Sequence, residues 1–111
     1  MSVLTAPPRS PSSGDVHCAL PARLDGSTVA DVRLTLHTAL DSGPGDLVVD
    51  CSAVEVVDAV GLGVLVGLHR RAHAEGRRLV LADPQPRILR LLAVTKLHRV
   101  LHLERDIVLP A

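Results

Sequence analysis

The stretch from Asp46 to Glu75, DLVVDCSAVEVVDAVGLGVLVGLHRRAHAE, constrains the fold more than any other part of the chain. Leu47 to Cys51 is a Val-rich apolar run with no turn residue inside it, the pattern of a strand in a parallel or mixed sheet with helices packed on it. Asp58 is a good N-cap residue, and Leu62, Leu65, Val66 and Leu68 follow it. This spacing predicts a helix that starts between Asp58 and Gly61 and runs to Glu75, with Gly76 in the left-handed position that closes helices. The turn between such a strand and such a helix is where α/β folds place their function.

At 111 residues the chain makes one domain with room for a single core. Hydrophobic residues reach 47%, but Phe, Tyr and Trp are absent, so packing rests on Leu, Val, Ala and Ile. A formal net charge of +0 gives no concentrated positive field for nucleic acid, and there is no aromatic platform on which bases would stack. No apolar run approaches the roughly 20 residues a membrane helix needs, so direct membrane insertion is not expected. The N-terminal stretch lacks an apolar core of signal-peptide type, and the expected location is the cytoplasm. Cys18 and Cys51 stand alone, without metal-ligand or redox spacing, and read as small buried apolar residues.

Residues 1–14 hold three Pro and four Ser and read as a flexible tail, which leaves residues 15–111 as the domain. Asp15 to Leu24 reads as a strand with Val16, Cys18 and Leu20 on one side, at an edge or interrupted at Pro21. Asp25-Gly26-Ser27 makes a turn in which Ser27 caps the next helix. Val29, Val32, Leu36 and Leu40 give that helix its inner stripe, broadened by Leu34 and Ala39, and Gly43-Pro44-Gly45 stops it. Arg78 to Ala82 reads as a further strand. A third helix opens with Pro84 and Pro86 and turns Ile88, Leu91, Leu92 and Thr95 inward. Val100 to Leu109 alternates as a short edge strand. The order is that of an α/β domain with a sheet at its centre.

The central turn supports more than one chemistry. Gly61, Gly63 and Gly67 spell GxGxxxG, and Asp83 lies 20 residues past Gly63, which imitates a dinucleotide fingerprint. Against it, Asp58 puts a carboxylate where the diphosphate would sit, and a loop rather than a tight turn precedes the motif. No GK[ST] follows, so a Walker-type loop is excluded. His69 and His73 stand at i, i+4 on the second helix, a spacing that can share zinc. No third ligand lies nearby in sequence, and with Arg70, Arg71 and Arg77 around them the two read as a solvated helix face. No metal and no cofactor are therefore expected, and no catalytic signature appears. A third reading is a protein-binding surface, with a dinucleotide-binding domain using Gly61, Gly63 and Gly67 kept as the lesser alternative.

From Asp15 to Leu103 the chain resembles the STAS domain, and best the bacterial anti-sigma factor antagonists. The resemblance is carried by Asp50 and Ser52 after the strand, and by the D-x-x-G-L-G of Asp58, Gly61, Leu62 and Gly63. The R-R-A at the helix end, the R-L-V-L strand, the proline-opened helix and the strand-end Asp25 also fit. The resemblance implies a small central mixed β-sheet of about four to five strands with about three to four helices. It also implies a non-catalytic regulator of transcription that works by partner switching, docking on an anti-sigma factor that is also a serine kinase. A subunit role on an ABC-transporter ATPase is the alternative that the same family offers.

The implied contact surface is Asp25, Asp58, Ala59, Val60, Gly61, Leu62, Gly63 and Val64, with His69 and Arg70 at its rim. The family's kinase phosphorylates a Ser or Thr directly after the aspartate, adding about −1.5 to −2 units of charge. Here that position is Ala59, followed by Val60, so the usual switch has no hydroxyl to act on. Lys96 stands where the family commonly ends a helix with Gly. With the chain ending at Ala111, the family's final helix is expected to be short or absent.

Overall fold

Four short apolar runs line up side by side to form the sheet around which the rest is built. The computed structural model describes residues 14–104. In chain order the elements are β1 (Val16–Ala19), β2 (Arg23–Leu24), α1 (Val29–Asp41), β3 (Leu47–Asp50), β4 (Val56–Val57), α2 (Ala59–Ala74), β5 (Leu79–Ala82), α3 (Pro86–Val94), a 3-10 turn over Leu97–Arg99, and β6 (His102–Glu104). The main sheet has the order β1-β3-β5-β6, and a small second sheet pairs β2 with β4. Every described pairing is parallel, where a mixed sheet was expected. The reason lies in the connections. A helix follows β3 and β5 and lies between β1 and β3, so the chain re-enters each strand from the same end.

Because the strands follow chain order, right-handed crossovers put all three helices on one face. That face carries Leu47, Val49, Leu79, Leu81 and Leu103, which join Leu36 and Leu40 of α1, Leu65 and Leu68 of α2, and Ile88, Leu89 and Leu92 of α3 in one core. Without aromatic rings the volume is filled by many interlocking Leu and Val side chains.

The segment 15–24 is interrupted at Pro21 and forms two strands. Leu20 N–H makes the last ladder bond to Asp50 O at 3.0 Å. Pro21 has no N–H to continue the ladder, and the chain turns to pair β2 with β4. Several side chains also differ from expectation. The residue before α1 is Thr28, not Ser27; its hydroxyl donates to Arg23 O at 2.9 Å and accepts from Asp25 N–H at 3.1 Å. Leu34 is 69% exposed, because it sits off the stripe that Val32, Leu36 and Leu40 bury. On α3, Leu89 is buried while Leu91 is half-buried and Thr95 exposed. Thr95 returns its hydroxyl to Leu91 O instead. Residues 105–109 of the expected last strand, residues 1–13 of the expected tail and the C-terminal segment lie outside the described residues.

Two helix ends use the same device with different residues. After α2, Gly76 has φ +71, its N–H donates to His73 O at 3.0 Å, and Arg77 N–H donates to Ala72 O at 2.9 Å. That is the double bond of a Schellman cap, and glycine accepts the left-handed backbone without a Cβ penalty. After α3 the matching residue is Lys96, at φ +63 with its N–H donating to Ala93 O at 3.1 Å. A β-carbon there carries a strain that Gly would not.

The start of α2 is pressed against the end of β2. A β-carbon built on Gly61 would lie 2.2 Å from Leu24 O, a separation that real atoms do not adopt. Replacing Gly61→Ala is expected to destabilise the fold by about 3 kcal/mol in urea unfolding, since backbone must move to admit the methyl; a loss under about 1 kcal/mol would show that the approach is looser. Lys96→Gly is expected to act in the opposite sense, raising stability by about 0.5–1 kcal/mol in the same assay.

Candidate protein-docking site

Asp58 organises the strand–helix junction through both carboxylate oxygens. One accepts from Gly61 N–H at 2.9 Å, the N-cap bond expected from its place before the helix. The other accepts from Gly26 N–H at 3.2 Å, across 32 residues of sequence. Asp58 N–H in turn donates to Leu24 O at 3.2 Å. A single side chain thus joins the first turn of α2 to the turn after β2, and the two segments present one continuous end of the molecule.

On that end Ala59 and Gly63 are exposed, one helical turn apart, and Val60 beside them is 49% exposed. Val56 on β4 is also exposed, at 38%, next to its partner Arg23. Sequence reasoning missed both Val56 and Arg23, because a two-residue strand has too short a pattern to read. Leu62 is half-buried and packs against the core. Val64, expected among the contacts, is 6% exposed and belongs to the core. Gly61 is buried as well, and its part is to permit the close crossing.

Asp25 is also more enclosed than expected, at 8% exposed. Its Oδ1 accepts from Ser27 Oγ at 2.6 Å and from Ser27 N–H at 2.9 Å, and Oδ2 pairs with the Arg23 guanidinium at 2.8 Å. The Ser27 hydroxyl foremost, with help from Arg23, holds this carboxyl below the usual carboxylate range, although desolvation opposes them. Asp25 therefore shapes the turn from within. Asp50 is held low in the same way by Ser52, whose N–H donates at 2.9 Å. Ser52 O accepts from Gln85 Nε2 at 2.8 Å, which ties this loop to the start of α3.

The dinucleotide reading meets two obstacles in this geometry. The N-terminal amide that a phosphate would use is taken by Asp58. An open groove of about 490 Å³ runs over the sheet from His17 and Val48 to the carboxyl ends of the strands, where such folds hold phosphates and where its lining includes Asp50, Asp83 and Glu104. Gly63 and Gly67 have open space where a β-carbon would be, so neither marks a close approach.

His69 departs from the solvated face expected of it: it is half-buried, and its Nδ1 is enclosed. Arg71 does not face solvent freely either, since it pairs with Asp41, Glu75 and His37. Among the described residues no three His, Cys, Asp or Glu are spaced to hold a metal ion. Cys51 is buried, and burial foremost pushes its thiol up to about 12, the state of an inert apolar side chain. Cys18 is half-buried and raised for the same reason. No helix among the described residues is long and apolar enough to cross a membrane.

Comparison with known proteins bears on this geometry. A Thermotoga maritima protein, TM1081, proposed as an anti-sigma factor antagonist, shares the fold in its crystal structure with a TM-score of 0.75 at 22% identity, over 90% of this chain and 86% of that one. The NMR structure of TM1081 gives a TM-score of 0.70 at 21% identity, over 85% of this chain and 76% of that one. The anti-sigma factor antagonist SpoIIAA, in its unphosphorylated form, gives 0.63 at 20% identity, over 90% and 86%. No curated protein matches the chain in sequence. These identities are low enough that the likeness is one of fold. The family rests on the sequence, which matches the STAS domain over residues 12–108. With nearly its whole length in that match and the parallel sheet, capped α2 and buttressed turn to go with it, the chain belongs to the STAS domain family.

Proposed function

We propose that this protein is a non-catalytic regulator that acts in the cytoplasm by binding another protein, an anti-sigma factor with serine-kinase activity. The observation that carries the reading is the exposed patch of Ala59, Val60 and Gly63 on the first turns of α2, backed by a turn that Asp58 locks in place. A rigid backbone lowers the ordering cost of association. Small side chains at Ala59 and Gly63 let a partner's backbone approach, and Val60 offers an apolar anchor with Asp58 and Arg23 at its rim. The similarity in fold to anti-sigma factor antagonists supports the choice of partner.

Ala59 gives the interaction its distinctive property. It follows the capping aspartate, where the family's kinase finds its hydroxyl, and a methyl group accepts no phosphate. The complex is therefore constitutive with respect to that kinase, and its occupancy follows protein abundance and competition. Asp25, Gly61 and Val64 contribute by shaping the surface from inside.

Purified with the kinase from its own cell, the protein is expected to form a one-to-one complex that ATP does not dissociate. Ala59→Ser is expected to make the same complex ATP-sensitive. Val60→Asp is expected to weaken binding at least about tenfold, as for an apolar interface anchor, while its thermal transition stays unchanged. Calorimetry on the three proteins reads each outcome. Dissociation of the unaltered complex by ATP, or undiminished binding by the Val60 variant, would contradict the proposal.

A further inference from the structure

The C-terminal half of α2 carries a cluster that docking at its other end leaves unexplained. The rings of His69 and His73 are stacked, with centroids 5.9 Å apart and 21° between their planes. The ring of His102, on β6, lies 5.9 Å from that of His69, tilted by 52°. Tertiary structure thus brings a third imidazole, from 33 residues away in sequence, against His69. His69 Nδ1 is buried and has no hydrogen-bond partner. Protonation at that nitrogen would leave an N–H donor enclosed without an acceptor, and a buried unsatisfied donor costs more than a neutral ring.

The charges that face the cluster work in the same direction. Arg70 stands beside His69 on α2, and Arg78 precedes β5, across from His102. Asp46, ahead of β3, opposes them, and its Oδ1 also accepts from Arg78 N–H at 2.9 Å. Burial foremost, then His73 and Arg70, hold His69 below the usual imidazole range. Burial foremost, then Arg78 and His69, do the same for His102 against the pull of Asp46.

We propose that His69, His73 and His102 form an acid-sensitive latch that keeps β6 closed against α2 while the rings are neutral and releases it when they take up protons. β6 is the element best placed to yield. Among the described residues it lies at the sheet edge and pairs with β5 alone. Two imidazoliums at this separation repel each other in the field of two guanidiniums, and they act against the ladder to β5 and the burial of Leu101 and Leu103. The sign follows from linkage. A base whose folded pKa is depressed contributes stability that is complete above its unfolded value of about 6.5 and is lost as pH falls through the folded value. This window lies above the one in which the hydrogen-bonded carboxylates Asp25 and Asp50 take up protons.

The test is amide exchange on the full chain at pH 7.5 and 5.5, corrected for intrinsic pH dependence, in the natural protein and in His69→Gln and His102→Gln. In the natural protein, exchange at His102–Glu104 is expected to accelerate about tenfold relative to Leu47–Asp50 at the lower pH, as a local opening. The melting temperature is expected to fall by on the order of 5 °C over the same interval. Either glutamine variant should flatten both responses. Proton NMR should find the His69 and His102 rings titrating below about 6.5. The proposal is overturned if both variants respond to pH as the natural protein does, if β6 and β3 loosen together, or if the two rings titrate at or above that value. The ring titration is read on the natural protein, so it decides even where a variant does not fold.

Discussion

The contact between the first turn of α2 and the last residue of β2 governs the end of the molecule proposed for docking. Gly61 lets two backbones meet at a distance that any side chain would forbid. Asp58 then holds them there, with one oxygen on the helix and one on the turn. The rotation of α2 about its axis follows from that crossing. Val64, Leu65 and Leu68 face the sheet, and Ala59, Val60 and Gly63 are left outside. The surface proposed for docking is thus the remainder of a packing solution. Its shape depends on the glycine beneath it more than on the residues it displays.

The rest of the fold keeps that junction rigid without large side chains. A core built of Leu, Val and Ile gains its cohesion from many close contacts, so small gaps are costly and helix placement has to be accurate. Polar side chains supply anchors at the rim. Arg77 donates from Nε to Gly45 O at 2.7 Å and from its other end to Gly43 O, which fastens the loop before β3 to the end of α2. Arg71 reaches from α2 to Asp41 and His37 on α1, linking the two helices that cover the sheet side by side. Arg77 thereby satisfies two carbonyls that the loop would otherwise leave without a partner.

Features governed by near neighbours were readable from the chain. Asp58 as a cap, Gly76 as a left-handed stop and Pro86 at the first position of α3 each answer to backbone geometry within a few residues. The strands β3 and β5 announce themselves by uninterrupted aliphatic runs. Where the reading failed, a competing local bond or a contact outside the segment had decided the matter. Ser27 has the chemistry of a cap, but Asp25 takes its hydroxyl, and Thr28 occupies the place before the helix. Leu34 is apolar, yet it lies off the face that Val32, Leu36 and Leu40 turn to the core, and it stays in solvent. The pairing of β2 with β4 involves four residues in all, too few for any periodicity to register.

By itself, the sequence determined the succession of strands and helices, the capped start of α2, the aliphatic character of the core and the alanine that follows the capping aspartate at position 59. All of these depend on the identity of a residue and of its immediate neighbours, and periodicity and capping act over that range. Only the tertiary structure decided that the sheet is parallel throughout its described pairings, that Asp25 turns inward, that Val64 is core and Val60 is surface, and that His102 meets His69. Each of those outcomes rests on how one element is rotated and placed against another. Such placement is fixed by the closest approach of two backbones and by the volume left between them, and neither quantity is written in any single stretch of chain.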